Sequence, residues 1–318
     1  MMESKHKKIT KLSILIIIPI LLINLFNQMI IKLANRKSVL PTKDGMYYDW
    51  RFGKLFYTCE GEGSPILLIH ELSSYGSSIE FHELIHQLSK KHTVYALDLL
   101  GCGRSEKPAI TYTAYLYVQM INDFIKDVIK STTDVMVSGK SSSIVMMACC
   151  TEESYYHNIM LINPENVSKG NRIPNSKHKL LKYLLECHTI GTLIYLMVHT
   201  KEGMMYKARQ IFSSRHEHLA HRYAPYFYEA AHLSGSNAKY LHASLKAHYV
   251  DTNFIHAIKN VNNSIYMVLS DNEPDYMNTI EQYQVLNPAI EASVIDDSYH
   301  FPHLDQPKEI LSICDILF

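Results

Sequence analysis

The chain has 318 residues, 47 % of them apolar and 19 % charged, with 31 basic side chains balanced by 31 acidic ones. That length holds one large domain or two small ones, and a formal net charge of zero provides no basic field to recruit nucleic acid. The six cysteines, Cys59, Cys102, Cys149, Cys150, Cys187 and Cys314, form neither a CxxC pair nor a regular framework. They read as free thiols, which suits a reducing compartment.

Residues 12–31, LSILIIIPILLINLFNQMII, contain no charge. A bilayer core needs about 20 apolar residues in a helix. Lys5, Lys7, Lys8 and Lys11 precede the run, and Lys32, Arg36 and Lys37 follow it. No small-x-small cleavage site follows, so residues 1–36 are expected to be a basic segment and an uncleaved single-pass anchor rather than a removed signal peptide. Positive charge on both flanks gives no orientation. A core helix would rarely be apolar all round in such a setting.

Beyond a polar stretch at 37–45, apolar runs alternate with helical patterns. Residues 66–69 predict a strand, and Ile79, Phe81, Leu84, Ile85 and Leu88 predict a helix over 79–90. Residues 94–100 read as a buried strand, 114–130 as an amphipathic helix, and 134–139 as a strand running into a helix at SSIVMMACC. Residues 159–165 form a fourth strand pattern. Continuous apolar strands alternating with helices imply a mostly parallel sheet covered on both faces. The pattern then breaks: 166–257 has helical spacing and no clear strand. It returns with strands at 264–270 and 292–297 and a helix at 307–317.

Three places carry candidate chemistry, each just after a predicted strand. In SGKSSSIV, Ser141 falls on a strand-to-helix turn, where a serine hydroxyl is pushed out at the sheet edge beside the free N–H groups of the helix start. Gly139 is small enough for the close approach of strand and helix, and Ser143 is nearly so. A serine-rich helix cap would look the same locally. In SDNEP, Asp271 and Glu273 both qualify to orient an imidazole. In SYHFPHLDQP, His300 lies on the loop after the last strand, placed to act as general base, with His303 a nearby competitor. The chain order serine, acid, histidine separates this arrangement from other triad folds.

With those residues in place the chain resembles the α/β-hydrolase superfamily over about residues 47–318, in its branch of lid-bearing esterases, lipases and C–C hydrolases. LLIHEL (67–72) resembles the family's His-Gly turn. Asp98, Gly101, Gly103, Arg104 and Ser105 match its Asp-x-x-Gly-x-Gly-x-Ser loop. GKSSS stands at the nucleophile elbow, and HFPHLDQP resembles the family's ending. The overall texture is similar to membrane-anchored hydrolases of low-GC Gram-positive bacteria. The resemblance implies an α/β-hydrolase core at 47–165 and 258–318, with a helical lid at 166–257. It also implies Ser141 as nucleophile, His300 as base and Glu273 as acid, with Asp271 as the alternative. The backbone N–H groups of Leu72 and Ser142 would form the oxyanion hole. No cofactor or metal is implied. The substrate would be a hydrophobic carboxylic ester or lipid, cleaved through an acyl-enzyme.

The chain departs from the family at Glu71, which replaces the glycine of the His-Gly turn. Glutamate tolerates glycine's backbone angles poorly, or it can point into the pocket and repel an oxyanion. Glu71 and Ser143 therefore raise an alternative: a catalytically silent relative binding an apolar ligand at the membrane.

Overall fold

A computed structural model describes residues 2–43, 45–212 and 214–318. A long helix α1 (Met2–Ala34) leads to the hairpin β1 (Gly45–Trp50) and β2 (Gly53–Glu60), then β3 (Ser64–Ile69), α2 (His82–Leu88) and β4 (His92–Leu97). Next come α3 (Ala114–Phe124), β5 (Thr133–Ser138), α4 (Ser141–Thr151) and β6 (Tyr156–Ile162). Among the described residues, seven α-helices follow without a strand: α5 (Val167–Gly170), α6 (Ser176–Glu186), α7 (Ile190–Val198), α8 (Lys201–Ile211), α9 (Glu217–His232), α10 (Lys239–Lys246) and α11 (Ile255–Asn260). The chain closes with β7 (Ser264–Ser270), α12 (Tyr276–Leu286), β8 (Glu291–Ile295), α13 (Pro302–Asp305) and α14 (Pro307–Leu317).

The eight strands form one sheet in the order β1-β2-β4-β3-β5-β6-β7-β8. The first two pairings are antiparallel and the rest parallel. Side chains alternate across a strand, so Leu67, Ile69, Val135, Val137, Leu161 and Met267 face one way, among residues of α3, α4 and α11. Ile66, Leu68, Met136, Met160 and Val268 face the other, onto Leu84 and Leu88 of α2 and Ile310 and Cys314 of α14. The α/β-hydrolase architecture expected from the sequence is present, with its mostly parallel sheet covered on both sides.

The expected helix at 114–130 is α3 plus a wider π turn at Ile125–Ile129, ended by Lys130 in the left-handed conformation. The hairpin β1–β2 and helix α12 had no clear sequence pattern. The six cysteines are free thiols. Within α1 the stretch Ile17–Ala34 is long and apolar enough to cross a membrane, and its side chains are mostly exposed.

The sheet positions the site through the carboxyl ends of its parallel strands. His70 and Glu71 follow β3, Ser141 follows β5, Asn163 follows β6, Asp271 and Glu273 follow β7, and His300 follows β8. Five loops therefore converge on one edge.

Candidate active site

The elbow at β5–α4 depends on Gly139, whose φ of +53° suits glycine. A Cβ there would also lie 2.6 Å from a Glu71 carboxylate oxygen. Ser141 opens α4 and is 1 % exposed. Its hydroxyl donates to the His70 carbonyl at 2.7 Å rather than to a histidine ring.

His300 pairs with two carboxylates. Its Nδ1 lies 3.1 Å from Glu273 Oε2 and its Nε2 lies 3.0 Å from Glu71 Oε2. Both ring nitrogens must donate to satisfy both anions, so the ring is an imidazolium. Burial alone would lower its pKa, but Glu71 and then Glu273 outweigh burial and hold it well above the ordinary histidine value. Glu71 is held below its ordinary value despite its burial, by His300 first and then Lys140. The Lys140 backbone N–H also bonds to the Glu71 carboxylate. The anion at the N-terminus of α4 is thus the chain's own Glu71, in favourable contact with the helix dipole.

This geometry sorts the residues singled out from the sequence. Glu273 and His300 meet, whereas Ser141 bonds to the His70 carbonyl and the Nε2 of His300 is taken by Glu71. Asp271 accepts from the Ser298 N–H at 3.2 Å and from the Asn272 side chain, and so serves the loop rather than the imidazole. His303 is fully buried, stacked on Phe81 and 3.4 Å from Glu80, with no bond to Ser141. The Ser142 N–H donates to the Gly139 carbonyl at 3.1 Å, within the turn. Leu72 lines the cavity beside the elbow. Glu71 does not take up the positive φ that glycine would allow. Its backbone N–H instead donates to buried Glu80 at 3.1 Å, and Glu80 also accepts from the Ser138 hydroxyl. The substitution acts through its side chain, not through backbone strain.

Several supporting residues carried no sequence signal. Asn163, at φ +41°, donates from Nδ2 to the Tyr299 and His300 carbonyls at 3.1 and 2.9 Å, while its Oδ1 accepts from the Ser270 N–H at 2.8 Å. It fixes the His300 loop to β7. Lys140 reaches Glu165 at 3.1 Å and Asp251 at 2.5 Å, tying the elbow to the end of the helical insert. Those carboxylates raise the Lys140 pKa against the opposing effect of burial. Ser74 donates to His199 Nε2 at 2.8 Å, because His199 Nδ1 must donate to the Tyr195 carbonyl at 2.8 Å. Burial pushes His199 down to about 4, so that ring is neutral and able to accept. These contacts lie around a cavity of about 310 Å³ between insert and core. Its walls include Leu72, Lys140, His199 and His242, but neither Ser141 nor His300.

The loop after β4 explains the Asp-x-x-Gly-x-Gly-x-Ser pattern. Buried Asp98 accepts from the Ser78 N–H at 2.7 Å, and from the Arg104 N–H and guanidinium at 2.8 Å. Gly103 has φ +44°, and a Cβ there would meet Asp98 Oδ2 at 2.3 Å. Ser105 donates to the Asp98 carbonyl at 2.5 Å and accepts from the Phe56 N–H, which stitches the loop to β2.

Residues 66–313 match the model of the alpha/beta hydrolase family. The chain belongs to that family. This α/β-hydrolase is 36 % identical over 72 residues to 2-hydroxy-6-oxo-6-(2'-aminophenyl)hexa-2,4-dienoic acid hydrolase of Metapseudomonas resinovorans, a match covering 22 % of the chain and 24 % of the relative. It is 33 % identical over 70 residues to cis-3-alkyl-4-alkyloxetan-2-one decarboxylase of Shewanella oneidensis, covering 22 % of the chain and 21 % of that protein. The chain thus matches less than a quarter of the length of these curated relatives. Among solved structures it resembles a serine hydrolase involved in carbazole degradation, with TM-score 0.68 and 15 % identity over 86 % of this chain and 97 % of the other. At that identity the likeness shows the fold of this α/β-hydrolase alone.

Proposed function

We propose that this α/β-hydrolase is a membrane-anchored serine hydrolase of hydrophobic carboxylic esters, described here in a closed form. The observation that carries the reading is the His300–Glu273 pair, 3.1 Å apart, on the sheet edge where Ser141 opens α4. For turnover, Glu71 leaves His300 Nε2, and the imidazole gives up its extra proton to solvent. Ser141 Oγ then attacks the ester carbonyl carbon and passes its proton to Nε2. Nε2 returns that proton to the departing alkoxide as the C–O bond breaks. Water repeats the sequence on the acyl-enzyme and releases the acid. Glu273 holds Nδ1 throughout. The N–H groups of Leu72 and Ser142 are the proposed oxyanion donors, with the seven-helix insert as lid and α1 as anchor.

Glu71 supports a second reading, because it occupies the base's only free nitrogen. A relative that stays closed would bind an apolar ligand without cleaving it. Labelling of the full-length chain with a fluorophosphonate, beside Ser141→Ala, separates the two. Labelling lost in Ser141→Ala supports the hydrolase, and p-nitrophenyl esters of rising chain length would then define the acyl group. A folded protein that stays unlabelled from neutral to alkaline pH supports the binding protein.

A further inference from the structure

The anchor helix is docked along half of its apolar run. One stripe of α1, at Ile23, Asn24, Asn27, Ile30, Ile31 and Ala34, is partly or fully buried. The helix packs on α7 and α9. Asn27 Nδ2 donates to the Thr189 carbonyl at 3.1 Å, and the Thr189 hydroxyl donates to Asn24 Oδ1 at 3.2 Å. Ile30 and Ile31 pack with Tyr195 and Leu196 of α7. Toward the N-terminus, Leu15 and residues 17–22 are exposed.

Lengths then constrain what crosses a membrane. The part of the apolar run before Ile23, residues 12–22, rises only about 16 Å at 1.5 Å per residue. A hydrocarbon core is about 30 Å thick. The remaining ~14 Å has to come from the docked part, down to about Ile31. Asn24 and Asn27 then lie about 6–10 Å inside the hydrocarbon, and Thr189 lies with them.

The corner at Thr189 has the composition that setting demands. Helices α6 and α7 meet there at 90°, and together they are as apolar as a membrane segment. Leu180, Tyr183, Leu184, Ile190 and Met197 are exposed on it, and residues 187–200 contain no Asp, Glu, Lys or Arg. Several of its polar groups are paired internally, as hydrocarbon favours. Glu186 is paired with Lys182, and Lys239 Nζ donates to the Cys187 carbonyl at 3.1 Å and to the Thr192 hydroxyl at 2.9 Å.

We propose that the α6–α7 corner is immersed among lipid acyl chains beside α1, so that the insert over the active site is itself part of the membrane domain. The proposal rests on the reading of α1 as a spanning helix. Full-length variants carrying Leu21→Trp, Leu184→Trp, Met197→Trp or Val285→Trp test it, in vesicles of phosphatidylcholine with plain or brominated acyl chains. All four positions are exposed, and the native Trp50 is buried at the sheet edge as a constant background. The expected result is loss of the added fluorescence in brominated lipid at positions 21, 184 and 197, with position 285 unaffected. Quenching at 21 while 184 and 197 behave like 285 would overturn the proposal and leave the anchor standing. No quenching at 21 would overturn the anchor, and the immersed corner with it.

Discussion

A serine becomes nucleophilic only if a neighbouring imidazole has a lone pair to take its proton. His300 lacks one while Glu71 and Glu273 hold both of its nitrogens. Its raised pKa stabilises the fold in full below the ordinary histidine value of about 6.5, and that contribution fades as pH rises through the raised value. Glu71, whose pKa is lowered, contributes above the ordinary carboxylate range and loses that contribution in acid. Catalysis needs the opposite protonation state, so the rising limb of activity should sit on the alkaline side. Removing one of the two anions lowers the pKa of the base. Glu71→Gly is therefore expected to move the pH profile of fluorophosphonate labelling toward neutrality. At pH 7 the labelling rate should rise, because a larger share of His300 then carries the free lone pair. An unchanged profile would mean that Glu71 does not control His300. Glu71 was visible in the sequence as a departure from the His-Gly turn, because a motif exposes its exceptions. Asn163, Glu165 and Asp251 were not, since each acts on a partner that only the folded chain brings near.

Elements announce themselves in sequence in proportion to how one-sided their burial is. The central strands β3, β5, β6 and β7 are buried on both faces and read as unbroken apolar runs. β1 has most of its residues exposed or half-buried, and α12 buries only Thr279 and Tyr283, so neither rises above its surroundings. The loop after β4 was legible for another reason: its glycines and its Asp-Arg pair are dictated by geometry. Asp98 and Arg104 are 0 % and 5 % exposed at the side chain, and Arg104 also lies 4.0 Å over the Phe56 ring. Removing one partner of a buried pair leaves a bare charge, at a cost of about 3–5 kcal/mol. Arg104→Met is expected to lose stability of that order in urea unfolding. A loss below ~1 kcal/mol would show that Asp98 is satisfied by its backbone donors alone.

At the scale of the whole molecule, α1 acts as a strut on the insert. Besides the contacts at Asn24 and Asn27, Asn35 Nδ2 donates to the His232 carbonyl at the end of α9, at 3.2 Å. Deleting residues 1–36 removes all of these and bares the apolar faces of α7 and α9. Amide exchange should then speed up in Ile190–Val198 and near His232, while the β5–β7 amides keep their protection. Equal protection in both forms would show that the insert is rigid without its strut.

The ion pair between Lys140 and Asp251 joins the helical insert to the turn that carries Ser141. Lys140 is the residue before Ser141, and Asp251 belongs to the insert. Any movement that lifts the insert at Asp251 from the sheet edge parts these two groups and releases a cation one residue from Ser141. The freed ammonium has Glu165 on one side, and Glu71, the carboxylate that blocks His300, already bonds to the same residue's backbone N–H. If the insert is the proposed lid, its lifting and the release of His300 would share this one mechanical joint, and strain applied to the insert from outside would be felt beside Ser141.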